Sequence, residues 1–86
     1  MDDVRIRDGT KIAVGNWCKR DPATIFLHHQ LDLIRKSSKK PALRGRLNTE
    51  FEKEKGFPIP PDEWAKKQPS LKTVADVRDY VKERNA

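Results

Sequence analysis

Six cations fall within one twelve-residue stretch of the chain: Arg35, Lys36, Lys39, Lys40, Arg44 and Arg46, with no Asp or Glu among them. Ammonium and guanidinium groups at this density attract phosphates and carboxylates, and the planar fork of Arg matches both. The chemistry they offer is binding, to a polyanion or to an acidic protein surface. The formal charge of the whole chain is +6, and residues 35–46 alone carry +6, while residues 1–20, 21–34, 47–58 and 59–86 carry +2, −2, −1 and +1. The surplus of the protein therefore equals the surplus of one segment. Outside it, Arg5, Arg7 and Lys11 form a second, smaller basic group.

Other reactive side chains do not assemble into a reaction. Cys18, His28 and His29 are metal-ligand types, but a structural zinc site takes four ligands in tightly spaced pairs. Adjacent histidines on a helix would also point about 100° apart. No metal and no cofactor is expected. Cys18 has no base at a telling spacing and reads as a small apolar group rather than a nucleophile. Trp17 and Trp64 read as core aromatics. Ser37 and Ser38 sit beside Arg35 and Lys36, where phosphorylation would cancel part of the positive charge. The expectation is a non-enzymatic module.

The elements that would carry these residues are read from periodicity. Val4 to Val14 alternates apolar and polar residues around Asp8-Gly9, a strong turn signal, and predicts a β-hairpin. A three-residue loop with Gly9 in the left-handed region keeps Val4, Ile6 and Ile12 on one face and Arg5, Arg7 and Lys11 on the other. Asp21-Pro22 has the form of a helix start, and the spacing of Ile25, Leu27, Leu31 and Ile34 predicts a helix to about Lys36. Ser37-Ser-Lys-Lys-Pro41 breaks it. A second helix is predicted from Pro41 to about Lys55, with Leu43, Leu47 and Phe51 inward and Gly56 as its stop. Four prolines between Phe57 and Ser70 mark an irregular link, with a helical turn at 62–67 and Trp64 folding back on the core. Thr73 and Asp76 make a capping box for a last helix with Val74, Val77, Tyr80 and Val81 inward.

On that plan the basic segment spans a helix end, a turn and a helix start. Arg44 and Arg46 come early in the second helix and Glu50, Glu52 and Glu54 late, the reverse of what the helix dipole favours. Such a helix start is suited to anions, because free N–H groups and cations converge there. A helix-turn-helix reading follows, with Arg46, Thr49 and Lys53 on one flank of the second helix and Arg44 and Asn48 on the other, Arg and Asn being the residue types that read base edges. The hairpin would then add Arg5, Arg7 and Lys11 as a wing or ribbon on the groove. The late glutamates confine phosphate contact to the first turns. The plain alternative is a solvated turn and an ordinary solvent-facing hairpin.

The C-terminal part carries a second set of motifs: Glu50-Phe51, then Ile59-Pro-Pro-Asp62-Glu63, then Thr73-Val-Ala-Asp-Val-Arg-Asp-Tyr-Val81. In this order they resemble the last part of the acyl carrier protein family. The resemblance implies a four-helix fold holding phosphopantetheine on a serine that opens the second helix. Ser37 stands at about the matching distance before Phe51, but between Lys36 and Ser38 rather than in the family's Asp-Ser-Leu.

At 86 residues and 35 % apolar content the chain fits one domain, 1–86, with a modest core and fraying expected at 1–3 and 83–86. No apolar run is long enough to span a membrane. The start Met-Asp-Asp is unlike the basic start of a signal peptide, and the lone cysteine suggests a reducing, cytoplasmic setting. The combined expectation is an α+β domain, an N-terminal β-hairpin packed on a bundle of three main helices. It binds nucleic acid, DNA in particular, through segment 35–46, or serves as a carrier-like domain or an adaptor for an acidic protein.

Overall fold

Asp2 decides how the chain begins. Its carboxylate accepts the Arg5 backbone N–H at 2.8 Å, capping a helix that runs from Asp3 to Cys18. The computed structural model describes residues 1–86 and makes this helix, α1, the longest element. The predicted hairpin is therefore overturned: no strand is present, and the only β feature is an isolated bridge between Gln30 and Thr73. The fold is all-helical rather than α+β.

The reason lies in which small residues count as core. Ile6, Gly9, Thr10, Ala13, Val14 and Trp17 are buried, a spacing of three and four that belongs to one helix face. The alternating set that suggested a strand splits apart: Ile6 is buried, Ile12 is half-buried and Val4 is exposed. The Thr10 hydroxyl is buried without cost, because it donates to the Ile6 carbonyl at 2.7 Å. Gly9, read as a turn residue, is helical and lies against Phe51. The true stop is Lys19, in the left-handed region at φ 58°, with its N–H returning to the Gly15 carbonyl.

The helix predicted over 21–36 does not form either. Asp21 caps only a 3₁₀ turn at Pro22–Thr24, and α2 is the single turn Leu31–Ile34. Between them the backbone is taken up by another segment: Leu27 and His29 carbonyls accept from Ala75 and Val74, and Leu31 N–H donates to the Lys72 carbonyl, at 2.8–3.0 Å. These bonds to 72–75 replace the helical ladder while still delivering Ile25 and Leu31 to the core.

A 3₁₀ turn at Ser37–Ala42 runs directly into α3 (Leu43–Glu50), so the chain is helical from 37 to 50 and Pro41 falls inside that stretch. This helix ends earlier than predicted. Phe51 to Gly56 are turns, and Gly56 sits at φ 92°. α4 (Pro61–Lys67) opens on proline with Asp62 and Glu63 in its first turn, followed by a 3₁₀ turn at Gln68–Ser70. α5 (Val74–Asn85) starts at the expected capping box and buries Val74, Val77, Tyr80 and Val81.

Helix α1 packs on α3 and α5, and the core collects Phe51, Leu43, Leu47, Ile59 and both tryptophans around that contact. The two ends of the chain meet: the Met1 amino group donates to Asn85 Oδ1 at 2.8 Å, and Asn85 Nδ2 donates to the Lys55 carbonyl at 2.9 Å. No helix is long and apolar enough to cross a membrane.

Candidate functional site

The basic turn is held by the two indoles. Trp17 Nε1, from the end of α1, donates to the Lys39 carbonyl at 2.8 Å, and Trp64 Nε1, from α4, donates to the Lys40 carbonyl at 3.3 Å. Both rings are buried, so each N–H needs a partner, and successive carbonyls of the turn supply them. Core packing thus fixes the position of the most basic part of the sequence.

Its cations divide into two groups. Lys40 is buried, with Nζ donating to the Leu71 carbonyl at 3.0 Å and lying 3.7 Å from Asp32. Arg44 Nη1 donates to the Ile59 carbonyl at 3.0 Å, and Asn48 brackets Ile59 by accepting from its N–H and donating to its carbonyl. Arg44 and Asn48, one of the two flanks that could read base edges, are thus spent on tying the proline-rich link to α3. Arg35 is half-buried: its guanidinium lies 5.8 Å from the centre of the Trp17 ring and donates to the Trp17 carbonyl. It supplies a cation to the C-terminal end of α1, whose own last turn contains none. Lys36, Lys39 and Arg46 are exposed, as are Ser37 and Ser38.

The N-terminal trio lies on α1 rather than on a hairpin. Arg5 pairs with Glu50 at 2.7 Å, also donates to the Glu50 carbonyl, and lies 5.0 Å from the centre of the Phe51 ring. Arg7 pairs with its neighbour Asp8 at 2.9 Å, and Lys11 is half-buried. None of the three is placed as a wing.

What the fold adds is the end of α1. Because Trp17 is bonded to both Lys39 and Arg35, the end of α1 lies against the turn, and the exposed Lys19 and Arg20 follow within three residues of that contact. Residues 15–20 and 35–46 together contain eight bases and no acid. Sequence reasoning missed Lys19 and Arg20, since nothing in their spacing shows that Trp17 reaches a carbonyl twenty-two residues away. Cys18 lies among these cations; burial pushes its thiol up, against the opposing pull of Arg20 and Arg35. That thiol is less ionised than a free cysteine, the reverse of an activated nucleophile.

A second polar cluster joins α4 to α5. Glu63 accepts from both Tyr80 and Arg84, and Arg84 Nε also donates to the Gly56 carbonyl at 2.7 Å. Arg84 and then Tyr80 hold the Glu63 carboxyl below its usual range. Burial, reinforced by Glu63, pushes the Tyr80 hydroxyl up to about 12. An open cavity of 440 Å³ lies beside this cluster, bordered by Lys66, Lys67 and Glu83. A cavity of 360 Å³ between α1 and α5 is lined by Asp3, Val4, Ile6, Arg7, Arg78, Asp79 and Lys82. Neither contains a cysteine, serine or histidine, and no group of three metal-ligating residues is present.

No protein-family model matches the chain, and neither the curated proteins nor the solved structures contain a significant match to it.

Proposed function

We propose that the chain is a non-catalytic binding module whose basic face holds the phosphates of a nucleic acid by charge, without reading base edges. The residues are Lys19, Arg20, Lys36 and Lys39, with Arg35 half-buried beside Trp17. One observation supports this above the others: the Trp17 contacts set the end of α1 against the acid-free segment 35–46. Arg44 and Asn48 are engaged with Ile59, which argues against base reading by that flank of α3.

The test is a salt titration of binding to generic duplex and single-stranded oligonucleotides. Neutralising about four phosphates gives a log–log slope of roughly −3 to −4. Replacing Lys19, Arg20, Lys36 and Lys39 together by Ala should remove binding and leave the fold intact. Binding that keeps its slope in that variant, or no binding to any nucleic acid at low salt, rejects the reading. The second outcome would move the basic face to an acidic protein partner.

A second reading is a carrier-like domain. It is favoured by an all-helical chain with no hairpin, which a four-helix carrier could not accommodate, and by exposed Ser37 opening the helical stretch 37–50. The hydroxyl is accessible to a phosphopantetheinyl group, although Lys36 and Ser38 stand where the family has Asp and Leu. Incubation with a broad-specificity phosphopantetheinyl transferase and coenzyme A, read by mass spectrometry, decides it: no mass gain on Ser37 or Ser38 rejects a working carrier.

A further inference from the structure

Phe26 is a large aromatic side chain that the core does not use. It is 50 % exposed, whereas Ile25 before it is fully buried and Leu27 after it packs on the core. Its ring lies nearly parallel to that of exposed His28, at 15° with centroids 5.9 Å apart. His29 closes the group edge-on, 5.3 Å from Phe26 and 4.9 Å from His28. The backbone beneath is fixed. Phe26 N–H donates to His29 Nδ1 at 3.1 Å, and the Leu27 and His29 carbonyls are bonded to α5 and its start. The aromatic surface is therefore presented by a tied-down segment.

This segment follows directly on the basic face. Phe26 comes six residues after Arg20, so the two backbones are no more than about 22 Å apart. The 3₁₀ turn at Pro22–Thr24 shortens that span. Single-strand binding sites combine cations that follow the backbone with an aromatic face on which a base stacks, over about 4–16 nucleotides. In a duplex, base faces are covered by their neighbours and cannot meet such a ring.

We infer that the module selects single-stranded nucleic acid, with Phe26 as the stacking platform for one base while Lys19, Arg20, Lys36 and Lys39 hold the neighbouring phosphates. The inference rests on the phosphate-binding reading above and adds the form of the strand to it. Its test separates stacking from charge. Affinity is measured by fluorescence anisotropy at one ionic strength for an oligothymidine, a duplex, and an abasic strand of the same length and charge. The oligothymidine should bind about tenfold tighter than the abasic strand, the scale of one stacked base. Phe26→Ala should erase that difference while leaving the salt slope and the melting temperature unchanged, and Phe26→Tyr should restore it. Equal affinity for the abasic strand and the oligothymidine, or a Phe26→Ala variant that still distinguishes them, overturns the stacking role and leaves the charge reading standing. Failure of all three strands to bind at low salt overturns both.

Discussion

Gly9 of α1 lies so close to Phe51 that a Cβ at this position would stand 2.5 Å from the phenylalanine ring. The missing side chain is what allows α1 and the end of α3 to meet with Phe51 fully buried between them. The ring cannot swing away into solvent, so an added methyl must displace helix or core.

Gly9→Ala should therefore destabilise the protein by about 1–3 kcal/mol, the scale of an overpacked core, even though alanine is the better helix former. Gly45 in α3 is the matched control, since a Cβ there meets nothing within 4 Å. Gly45→Ala should stabilise by up to ~1 kcal/mol. Urea denaturation of both variants reads the opposite signs, and a stabilising Gly9→Ala would show that the α1–α3 contact is looser than described.

Lys40 should behave as a structural residue despite its place in the basic run. Lys40→Ala removes the partner of the Leu71 carbonyl and the packing of the buried aliphatic stem, at about 1–3 kcal/mol. Lys36→Ala should be within about 0.5 kcal/mol of wild type. Oligonucleotide binding should show the reverse order, weakened by Lys36→Ala and unaffected in the folded fraction of Lys40→Ala.

Arg35 should contribute to both. Arg35→Ala loses the contact with the Trp17 carbonyl and ring, so it should lower the melting temperature as well as the affinity. Arg35→Lys keeps the charge but not the planar fork, and should recover more of the salt slope than of the stability. Parallel thermal melts and salt titrations separate the two.

Alkaline pH should weaken the fold through Tyr80. Its folded pKa, about 12, lies above the ordinary value of 10.0. The folded state therefore holds the proton more tightly, and this contribution is complete below pH 10 and lost between 10 and about 12. The amount is on the order of 2 kcal/mol. Glu63 is shifted the opposite way, so its contribution is present above its ordinary value of 4.5 and is lost as pH falls through its lowered folded value. Tyr80→Phe should flatten the alkaline limb of the stability–pH curve and also reduce the acid limb, because Glu63 loses one of the two donors that hold it low; an unchanged alkaline limb would mean that the Tyr80 proton is not held more tightly in the folded state.

Parts of this architecture were legible from local pattern alone. Thr73 and Asp76 announce α5 because both halves of the capping box lie within one turn, and Val74, Val77, Tyr80 and Val81 follow at helical spacing. Both tryptophans were readable as core, whereas Gly56, read as a helix stop, lies in the turns six residues beyond the end of α3. Segment 4–14 was not. Its alternating Val4, Ile6 and Ile12 compete with a helical face made partly of Gly9, Thr10 and Ala13, small residues whose burial is visible only once Phe51 is seen against them. Residues 21–36 misled for the opposite reason. They have helical spacing, but backbone bonds to Lys72, Val74 and Ala75 satisfy their polar groups instead.

The same division holds for the basic residues. The sequence by itself determined that the net charge of the protein resides in residues 35–46, because charge is a property of composition and needs no fold. Only the tertiary structure decided which of those charges face solvent. Lys40 and Arg44 are spent on the carbonyls of Leu71 and Ile59, and Arg35 on that of Trp17, because a buried or half-buried carbonyl without a donor is costly and these were the side chains long enough to reach. The indole of Trp17, donating to the Lys39 carbonyl, sets the end of α1, which Lys19 and Arg20 follow, against the same turn.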